Sequence, residues 1–175
     1  MATEIEAKLK VDALEPIAEK LLALGATFIE QQAHIDTFYD NSHSSLTKGG
    51  RGLRLRICTT KAQQTYILTY KGKRQDSPFK KREELEIQIL DPETTENLLL
   101  AIGYAKILTI EKTRKLYKFD NCEIALDYLE QLGNFIEIEG PDEKIITEIQ
   151  KKLNLENIPH IKQGYAKLIK NRNNP

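Results

Sequence analysis

The first residues of the chain alternate strictly between charged and apolar side chains, from Glu4 to Val11. Successive side chains of a β-strand point to opposite faces, so this segment presents glutamate and lysine on one face and hydrocarbon on the other. The same kind of alternation returns in residues 53–57, 82–87, 110–114 and 135–139. Some of these charged faces carry acidic pairs and others carry basic pairs, in similar numbers. A face that gathers both signs of charge is a candidate functional site.

The composition restricts the classes of protein to which the chain can belong. Its 175 residues suit one domain, 1–175, with room for a hydrophobic core. The 26 basic side chains equal the 26 acidic ones, so any electrostatic function is local. No apolar run suggests a signal peptide or membrane span, and the separated Cys58 and Cys122 indicate reduced thiols. We therefore expect a cytoplasmic protein with no nucleic-acid partner and no membrane partner.

The periodicity of the remaining sequence predicts roughly eight strands and three or four helices. Asp12 and Asp91 are predicted N-caps, and further helices are predicted after residue 142 and over residues 160–171. Residues 41–45 are predicted to form a loop, and residues 72–81 an exposed, mobile, basic loop. Besides the opening strand, extended segments are predicted at residues 26–39, 53–59, 64–71, 82–90, 104–119, 122–128 and 134–139. Such connections favour an α+β fold, either an antiparallel sheet or a closed barrel with helices around it.

Two orientations of such a barrel compete. If apolar side chains fill the lumen, the amphipathic helices are left without a partner surface for their apolar stripes. If the apolar strand faces instead pack outward against the helices, the charged side chains line a central passage. We favour this second orientation, and it places the following residues in the lumen: Glu4, Glu6, Lys8, Arg54, Arg56, Lys71, Arg82, Glu84, Glu86, Lys112, Arg114, Asp127, Glu137 and Glu139.

A passage crowded with charge is costly unless the charges pair or hold ions. Arginine and lysine from several strands suit phosphate oxygens, because arginine offers forked donors. Carboxylates beside them are hard oxygen ligands that suit Mg²⁺ or Mn²⁺, which bind through few carboxylates together with substrate phosphates. The residues therefore indicate a polyphosphate with a divalent metal. A web of structural salt bridges fits the same residues equally well.

An ordered set of motifs runs through nearly the whole chain. An ExExK pattern stands at Glu4, Glu6 and Lys8, and it is followed by residues 36–40, 53–56, 68–72, 82–86, 112–114 and 132–139. Each motif alone is weak, but the ordered set resembles the CYTH family, the triphosphate tunnel metalloenzymes. The resemblance implies an eight-stranded antiparallel closed β-barrel, with a charged lumen and outer helices packed around it.

The resemblance also implies roles for individual residues and a small-molecule triphosphate as the partner. Mg²⁺ or Mn²⁺ is expected on the acidic residues Glu4, Glu6, Asp127, Glu137 and Glu139. The triphosphate is expected to be held by the basic residues Lys8, Arg54, Arg56, Lys71, Arg82, Lys112 and Arg114. Catalytic roles are expected for Lys8, Glu84 and Glu86, and Asp36 is expected to support a lumen arginine.

The chemistry is less constrained than the fold, because one fold hosts several reactions. Residues 4–8, 109–114 and 164–168 are similar to class IV adenylyl cyclases, which implies conversion of ATP to cyclic AMP and pyrophosphate through the ribose 3′ hydroxyl. The alternative is a triphosphatase, in which water attacks inorganic triphosphate, thiamine triphosphate or a nucleotide. A non-enzymatic binding module for polyphosphate or nucleotide is the third hypothesis. The protein is expected to be a monomer or a homodimer.

Three aromatic residues near these motifs are expected to be structural. Phe38 and Tyr39 are predicted to pack in the core rather than to stack on a base, and core packing is also the first interpretation of Tyr165. The alternative for Tyr165 is that it plugs or lines one end of the lumen. No pocket for a base can be located from the sequence.

Overall fold

The computed structural model describes residues 2–173. Within these residues, eight antiparallel strands close into a barrel in the order β1-β5-β4-β3-β2-β6-β7-β8, which confirms the predicted α+β barrel. The strands are β1 (Ala2–Val11), β2 (Thr27–Asn41), β3 (Gly52–Thr59), β4 (Gln64–Lys71), β5 (Lys80–Ile89), β6 (Tyr104–Phe119), β7 (Cys122–Leu129) and β8 (Gly133–Glu139). The helices are α1 (Glu15–Ala23), α2 (Ser45–Lys48), α3 (Pro92–Ala101), α4 (Glu143–Leu153) and α5 (Tyr165–Asn173).

Strand β1 closes the barrel by pairing with a different neighbour along each part of its length. Its first part pairs with β5, where Glu4 lies opposite Arg82. Its second part pairs with β8, where Lys8 lies opposite Glu137. Closure leaves no free sheet edge, and it brings the charged face of β1 between the charged faces of two other strands.

The apolar side chains lie outside the barrel wall and beneath helices, as the second orientation predicts. Leu9 of β1 and Ile136 of β8 are completely buried, in one cluster with Leu21 of α1 and Ile149 of α4. A smaller cluster joins Leu99 of α3 to the outer faces of β2 and β3. Burial of such side chains is the main contribution to stability that this orientation provides.

The prediction that helices cover the outer face is wrong for β5. Leu85 and Ile87, on that face, are 47% and 60% exposed. In the described part of the chain, the clusters that contain α1, α3 and α4 do not include these two side chains. The periodicity shows which face is apolar, but it does not show where each helix packs.

Several local predictions need correction. Asp12 does not cap α1: the N-cap position is Leu14, and no side chain within residues 2–173 caps this helix. Asp91 caps α3 as predicted. The predicted loop at residues 41–45 leads directly into α2, whose first amide groups at Leu46 and Thr47 donate to the Asp40 carboxylate. Helix α5 begins at Tyr165 rather than at residue 160.

The predicted mobile loop over residues 72–81 is also shorter than expected. Gly72 and Phe79 are buried, and β5 begins at Lys80. The exposed residues of the segment are 73–76 and Pro78. Among residues 2–173, no helix has both the length and the apolar character needed to cross a membrane.

Candidate active site

The lumen of the barrel contains a cavity of about 560 Å³. Every residue predicted for the site lines this cavity except Asp127. Five basic residues that the sequence analysis did not assign to the site also line it: Arg51, Arg74, Lys80, Lys167 and Lys170. The lumen is therefore charged, and its cations come from strands that are distant in the sequence.

Arg54 carries a donor that has no partner. Its Nη2 donates to Thr69 Oγ1 at 2.9 Å and to Glu86 Oε1 at 3.1 Å. Its Nε is buried, and among the described residues it has no hydrogen-bond partner. Because a buried donor without a partner is costly, this atom fits the role of a donor to a bound anion.

Asp36 binds the neighbouring Arg56 in a bidentate hydrogen-bonded ion pair. Arg56 donates from Nε and Nη2 to the two carboxylate oxygens of Asp36 at 2.6 and 2.8 Å. Burial acts to raise the pKa of the Asp36 carboxyl, but Arg54 and Arg56 lower it well below its usual range. Asp36 is therefore ionised and fixes the guanidinium, as predicted.

Asp127 is the shared acceptor of a second cationic group. It is fully buried, and its oxygens accept from Lys112, twice from Arg114 and from the Tyr165 hydroxyl, at 2.7 to 3.0 Å. Its pKa is about 2, because Arg114 and Lys112 outweigh the effect of burial. A metal ion on Asp127 would have to displace these donors, whereas the other predicted ligands line the cavity directly.

Lys8 lies at the centre of the buried charges, and only 2% of its surface is exposed. Its Nζ is 3.0 Å from Glu137 Oε1 and 3.9 Å from the centroid of the Tyr165 ring. The contact with an aromatic face adds a cation–π interaction to the ion pair. Tyr165 thus lies over Lys8 from α5 and lines the cavity, as the alternative interpretation expected, and it also packs in an apolar cluster.

Lys80 is a site residue that the sequence analysis missed. It is buried, and its Nζ donates to Glu6 Oε1 at 2.6 Å. It had been assigned to a solvated loop, yet it continues the alternation of Arg82, Glu84 and Glu86 by one more step. Extending the strand pattern toward its N-terminus would have identified it.

The two predicted catalytic glutamates of β5 differ in environment. Glu84 forms ion pairs with Lys71 and Arg82. Burial acts to raise the pKa of its carboxyl group, but these two cations lower it to about 2. The Glu86 side chain is 45% exposed, and its bonds to Arg54 and Thr69 both end on Oε1. Glu86 Oε2 therefore stays accessible from the cavity.

Two carboxylates of the cavity lining, Glu4 and Glu139, are destabilised in their charged form by burial and by neighbouring carboxylates. We call Glu4 and Glu139 the acidic wall. Burial and the neighbouring Glu4 and Glu123 raise the carboxyl pKa of Glu139 to about 7. Burial and Glu84 raise that of Glu4 to about 7 as well. A bound cation would relieve this repulsion, so the donor chemistry fits a divalent metal.

The carboxylates do not form a closed metal site by themselves. Within residues 2–173, no three His, Cys, Asp or Glu side chains converge closely enough to hold an ion. Mg²⁺ is compatible with this arrangement, since it is usually bound through one or two carboxylates, water and substrate phosphates. The residues thus fit a metal that arrives with its phosphate ligand.

The arrangement of charges agrees with a comparison against known families. A family model described as the CYTH domain matches residues 2–165. The chain belongs to the CYTH family. The motifs that suggested the resemblance are therefore those of a CYTH domain.

Related proteins and solved structures agree with this membership. A Methanocaldococcus jannaschii protein named "putative adenylate cyclase" is 29% identical over 174 residues, which cover 94% of this chain and 97% of the relative. A solved Pyrococcus horikoshii protein, 29% identical, superposes with a TM-score of 0.83 over 97% of this chain and 99% of that one. A Hippeastrum "putative adenylyl cyclase" with a dominant triphosphatase activity, 19% identical, has a TM-score of 0.73 over 97% and 95% of the two chains and shares the fold.

The CYTH lumen of this chain also contains a buried histidine to which no role was assigned from sequence. His34 is 3% exposed, its Nε2 lies 2.7 Å from Gln32 Oε1, and its Nδ1 has no partner among the described residues. Burial, followed by Arg56 and Lys112, lowers its pKa to about 2. The ring is therefore neutral at physiological pH, and it adds no further positive charge to a lumen rich in cations.

The lowered pKa of His34 predicts a pH dependence of stability. Below the unfolded pKa of 6.5, the unfolded chain binds a proton at His34 and the folded chain does not. This residue should therefore reduce the free energy of unfolding by about 1 kcal/mol for each pH unit below 6.5. Urea denaturation from pH 7 to pH 5 should show a smaller fall for His34→Gln than for the unsubstituted protein. The exposed His43→Gln is the matched control, and equal slopes for His34→Gln and the unsubstituted protein would contradict the assignment.

Proposed function

We propose that this CYTH protein is a divalent-metal-dependent enzyme that converts ATP to cyclic AMP and pyrophosphate. The observation that carries the proposal is a cavity lined by cations from five strands, among them Arg54, whose buried Nε has no hydrogen-bond partner within residues 2–173. Such donors match a long, highly charged anion, because they are already desolvated and aimed before the ligand binds. The name of the Methanocaldococcus relative supports the choice of cyclase chemistry.

The cations would hold the triphosphate along the lumen. Arg54 and Arg56 present fixed guanidinium groups, since Thr69, Glu86 and Asp36 hold them in place. Lys112 and Arg114 are positioned in the same way by Asp127. Burial and Arg114 lower the Lys112 pKa to about 8, so its ammonium remains mostly charged at pH 7. Lys8, Lys71 and Arg82 complete the basic lining.

Mg²⁺ or Mn²⁺ would be held by Glu4 and Glu139, with Glu6 and Glu137 beside them. When bound, the metal would stabilise negative charge on the phosphate oxygens as a Lewis acid. The protein supplies an acidic wall that repels itself without a cation. Glu6 and Glu137 are already paired with lysines, so they orient cations as well as contribute negative charge.

For the cyclase reaction, the ribose 3′ oxygen attacks the α-phosphorus and pyrophosphate leaves. The hydroxyl proton must pass to a base as the new P–O bond forms. Glu86 suits this role better than Glu84, because its Oε2 is accessible whereas the Glu84 carboxylate is held by two cations. Lys8 is buried between carboxylates, and we assign it to charge stabilisation.

A triphosphatase is the second candidate function. The charged part of the lumen offers an inorganic triphosphate the same cationic contacts that it offers the phosphates of ATP. The same fold in the Hippeastrum protein accompanies a dominant triphosphatase activity, and the fold alone therefore does not select a reaction. In this case Glu86 would orient a water toward the terminal phosphorus. A binding module without turnover has little use for the acidic wall, which argues against that third hypothesis.

Product analysis tests the proposal directly. The purified protein is incubated with ATP, tripolyphosphate or thiamine triphosphate, with Mg²⁺ or Mn²⁺, and the products are separated. We expect equal amounts of cyclic AMP and pyrophosphate from ATP. Phosphate release without a cyclic product would favour the triphosphatase, and no turnover of any substrate would contradict enzyme function.

The metal assignment has its own test. Glu139→Gln keeps the shape of the side chain and removes a ligand charge, so we expect Mn²⁺ affinity to fall at least about tenfold and turnover to fall with it. Binding is followed by electron paramagnetic resonance of free Mn²⁺. The control is Glu111→Gln, an exposed glutamate on β6 outside the cavity lining. Unchanged Mn²⁺ affinity in the Glu139→Gln variant would show that Glu139 is not a metal ligand.

A further inference from the structure

One wall of the cavity is apolar, and a β-bulge produces it. Along β2 and β6, Phe38 lies opposite Leu108 while the next residue, Tyr39, lies opposite Lys106. Ile107 is therefore an extra residue in β6. Regular alternation would direct Ile107 outward, on the same face as Thr109, but Ile107 lines the cavity. Bulges re-aim side chains in this way, and they are frequent beside functional sites.

Phe38 and Ala166 extend this wall. Phe38 is half-buried and lines the cavity, which differs from the core packing predicted for it. Ala166 of α5 also lines the cavity, and both residues pack against the cluster that contains Ile110 and Tyr165. Ile107 remains 38% exposed, so part of its hydrocarbon is not covered by the chain itself. We call Phe38, Ile107 and Ala166 the apolar wall.

Two glycines leave open space in the same cavity. Gly50 and Gly164 line the same cavity, and neither contributes a side chain. A Cβ at Gly164 would meet no atom within 4 Å, and one at Gly50 would meet only Lys73 Cγ, at 3.8 Å. The cavity therefore has room for a group larger than a chain of phosphates. Its volume is typical of sites that bind whole organic ligands.

We propose that the apolar wall binds the planar organic group of an organic triphosphate, such as the base of a nucleotide, while the cations hold its phosphates. This inference rests on the proposed function, because it assumes that a triphosphate occupies the cationic lumen. An inorganic triphosphate gains nothing from hydrocarbon, whereas an aromatic base loses unfavourable contact with water when it lies against Phe38 and Ile107. The structure thus points to an organic rather than an inorganic substrate.

The test compares binding of two ligands that differ only in the organic group. Calorimetry measures the Kd of methylene-bridged analogues of ATP and of tripolyphosphate, for the unsubstituted protein and for Ile107→Ser. We expect the ratio of the ATP-analogue Kd to the tripolyphosphate-analogue Kd to rise about tenfold in the variant. Ile107 is partly exposed, so the substitution should leave the fold intact, and the melting temperature checks this.

Ile87→Ser is the matched control, since Ile87 is an exposed isoleucine on the outer face of β5 and does not line the cavity. It should leave the ratio of the two Kd values unchanged. An unchanged ratio in Ile107→Ser, or tighter binding of the tripolyphosphate analogue than of the ATP analogue by the unsubstituted protein, would overturn the inference while leaving the triphosphate site standing. Failure of both analogues to bind would contradict the proposed function as well.

Discussion

Replacing Arg54 with methionine should lower kcat/KM for the triphosphate substrate by about 10²- to 10³-fold. The side chain supplies a buried donor with no partner in the described structure, and its loss also leaves Glu86 without its cation. Arg54→Lys should recover only part of the activity, because lysine keeps the positive charge but lacks the planar set of guanidinium N–H donors. Steady-state kinetics, together with the Kd of tripolyphosphate, measures the effect.

The control for this prediction is Lys61→Met, which removes a positive charge from an exposed turn between β3 and β4. It should change kcat/KM by less than about twofold, in line with a screened surface charge. If Arg54→Met retained full activity, the lumen cations would be structural partners of the glutamates, and the salt-bridge interpretation of the sequence would be correct.

Asp127→Ala should destabilise the protein by about 3–5 kcal/mol. The substitution leaves Lys112 and Arg114 buried without their shared acceptor and removes the partner of the Tyr165 hydroxyl. Urea denaturation at pH 7 gives the change in the free energy of unfolding.

An exposed ion pair in the same protein provides the comparison. Asp120 pairs with Lys152 at 2.8 Å, and both side chains are about half exposed. Asp120→Ala should therefore cost no more than about 1 kcal/mol. Equal losses in the two variants would mean that Asp127 does not neutralise buried charge, which would remove the positioning role assigned to it.

The sequence was sufficient to predict which strand faces point inward, because this orientation depends on simple periodicity, whereas closure into an eight-stranded barrel was implied by the family resemblance. Alternation in β1, β3 and β8 identified which side chains share a face, and the amphipathic helices required that the apolar face point outward. Each predicted site residue except Asp127 accordingly lines the cavity. Asp127 lies behind this lining, where it holds the cations that do line it.

The residues that sequence reasoning missed are those at which periodicity breaks or begins early. Lys80 was not predicted as a site residue because its strand begins in a segment rich in lysine, arginine and turn residues, which was predicted to be a loop. Ile107 enters the lumen only because of a bulge, and no feature of a single sequence reveals an extra residue in one strand of a pair. His34 lies two residues before Asp36 on β2, so alternation places it on the lumen face, but without a histidine or cysteine at ligand spacing the sequence indicated no role for it.

The pairing of β1 with both β5 and β8 determines when the cavity in the lumen can form. The strand made first must find partners in both β5 and β8, the latter being the last strand in the chain. These contacts join sequence-distant residues, so they carry a large loop-closure cost and belong to a slow folding step. A nascent chain that has not yet extended past Glu139 lacks the acidic wall and the ion pair between Lys8 and Glu137. The protein can therefore bind a charged ligand only after β1 has paired with both β5 and β8.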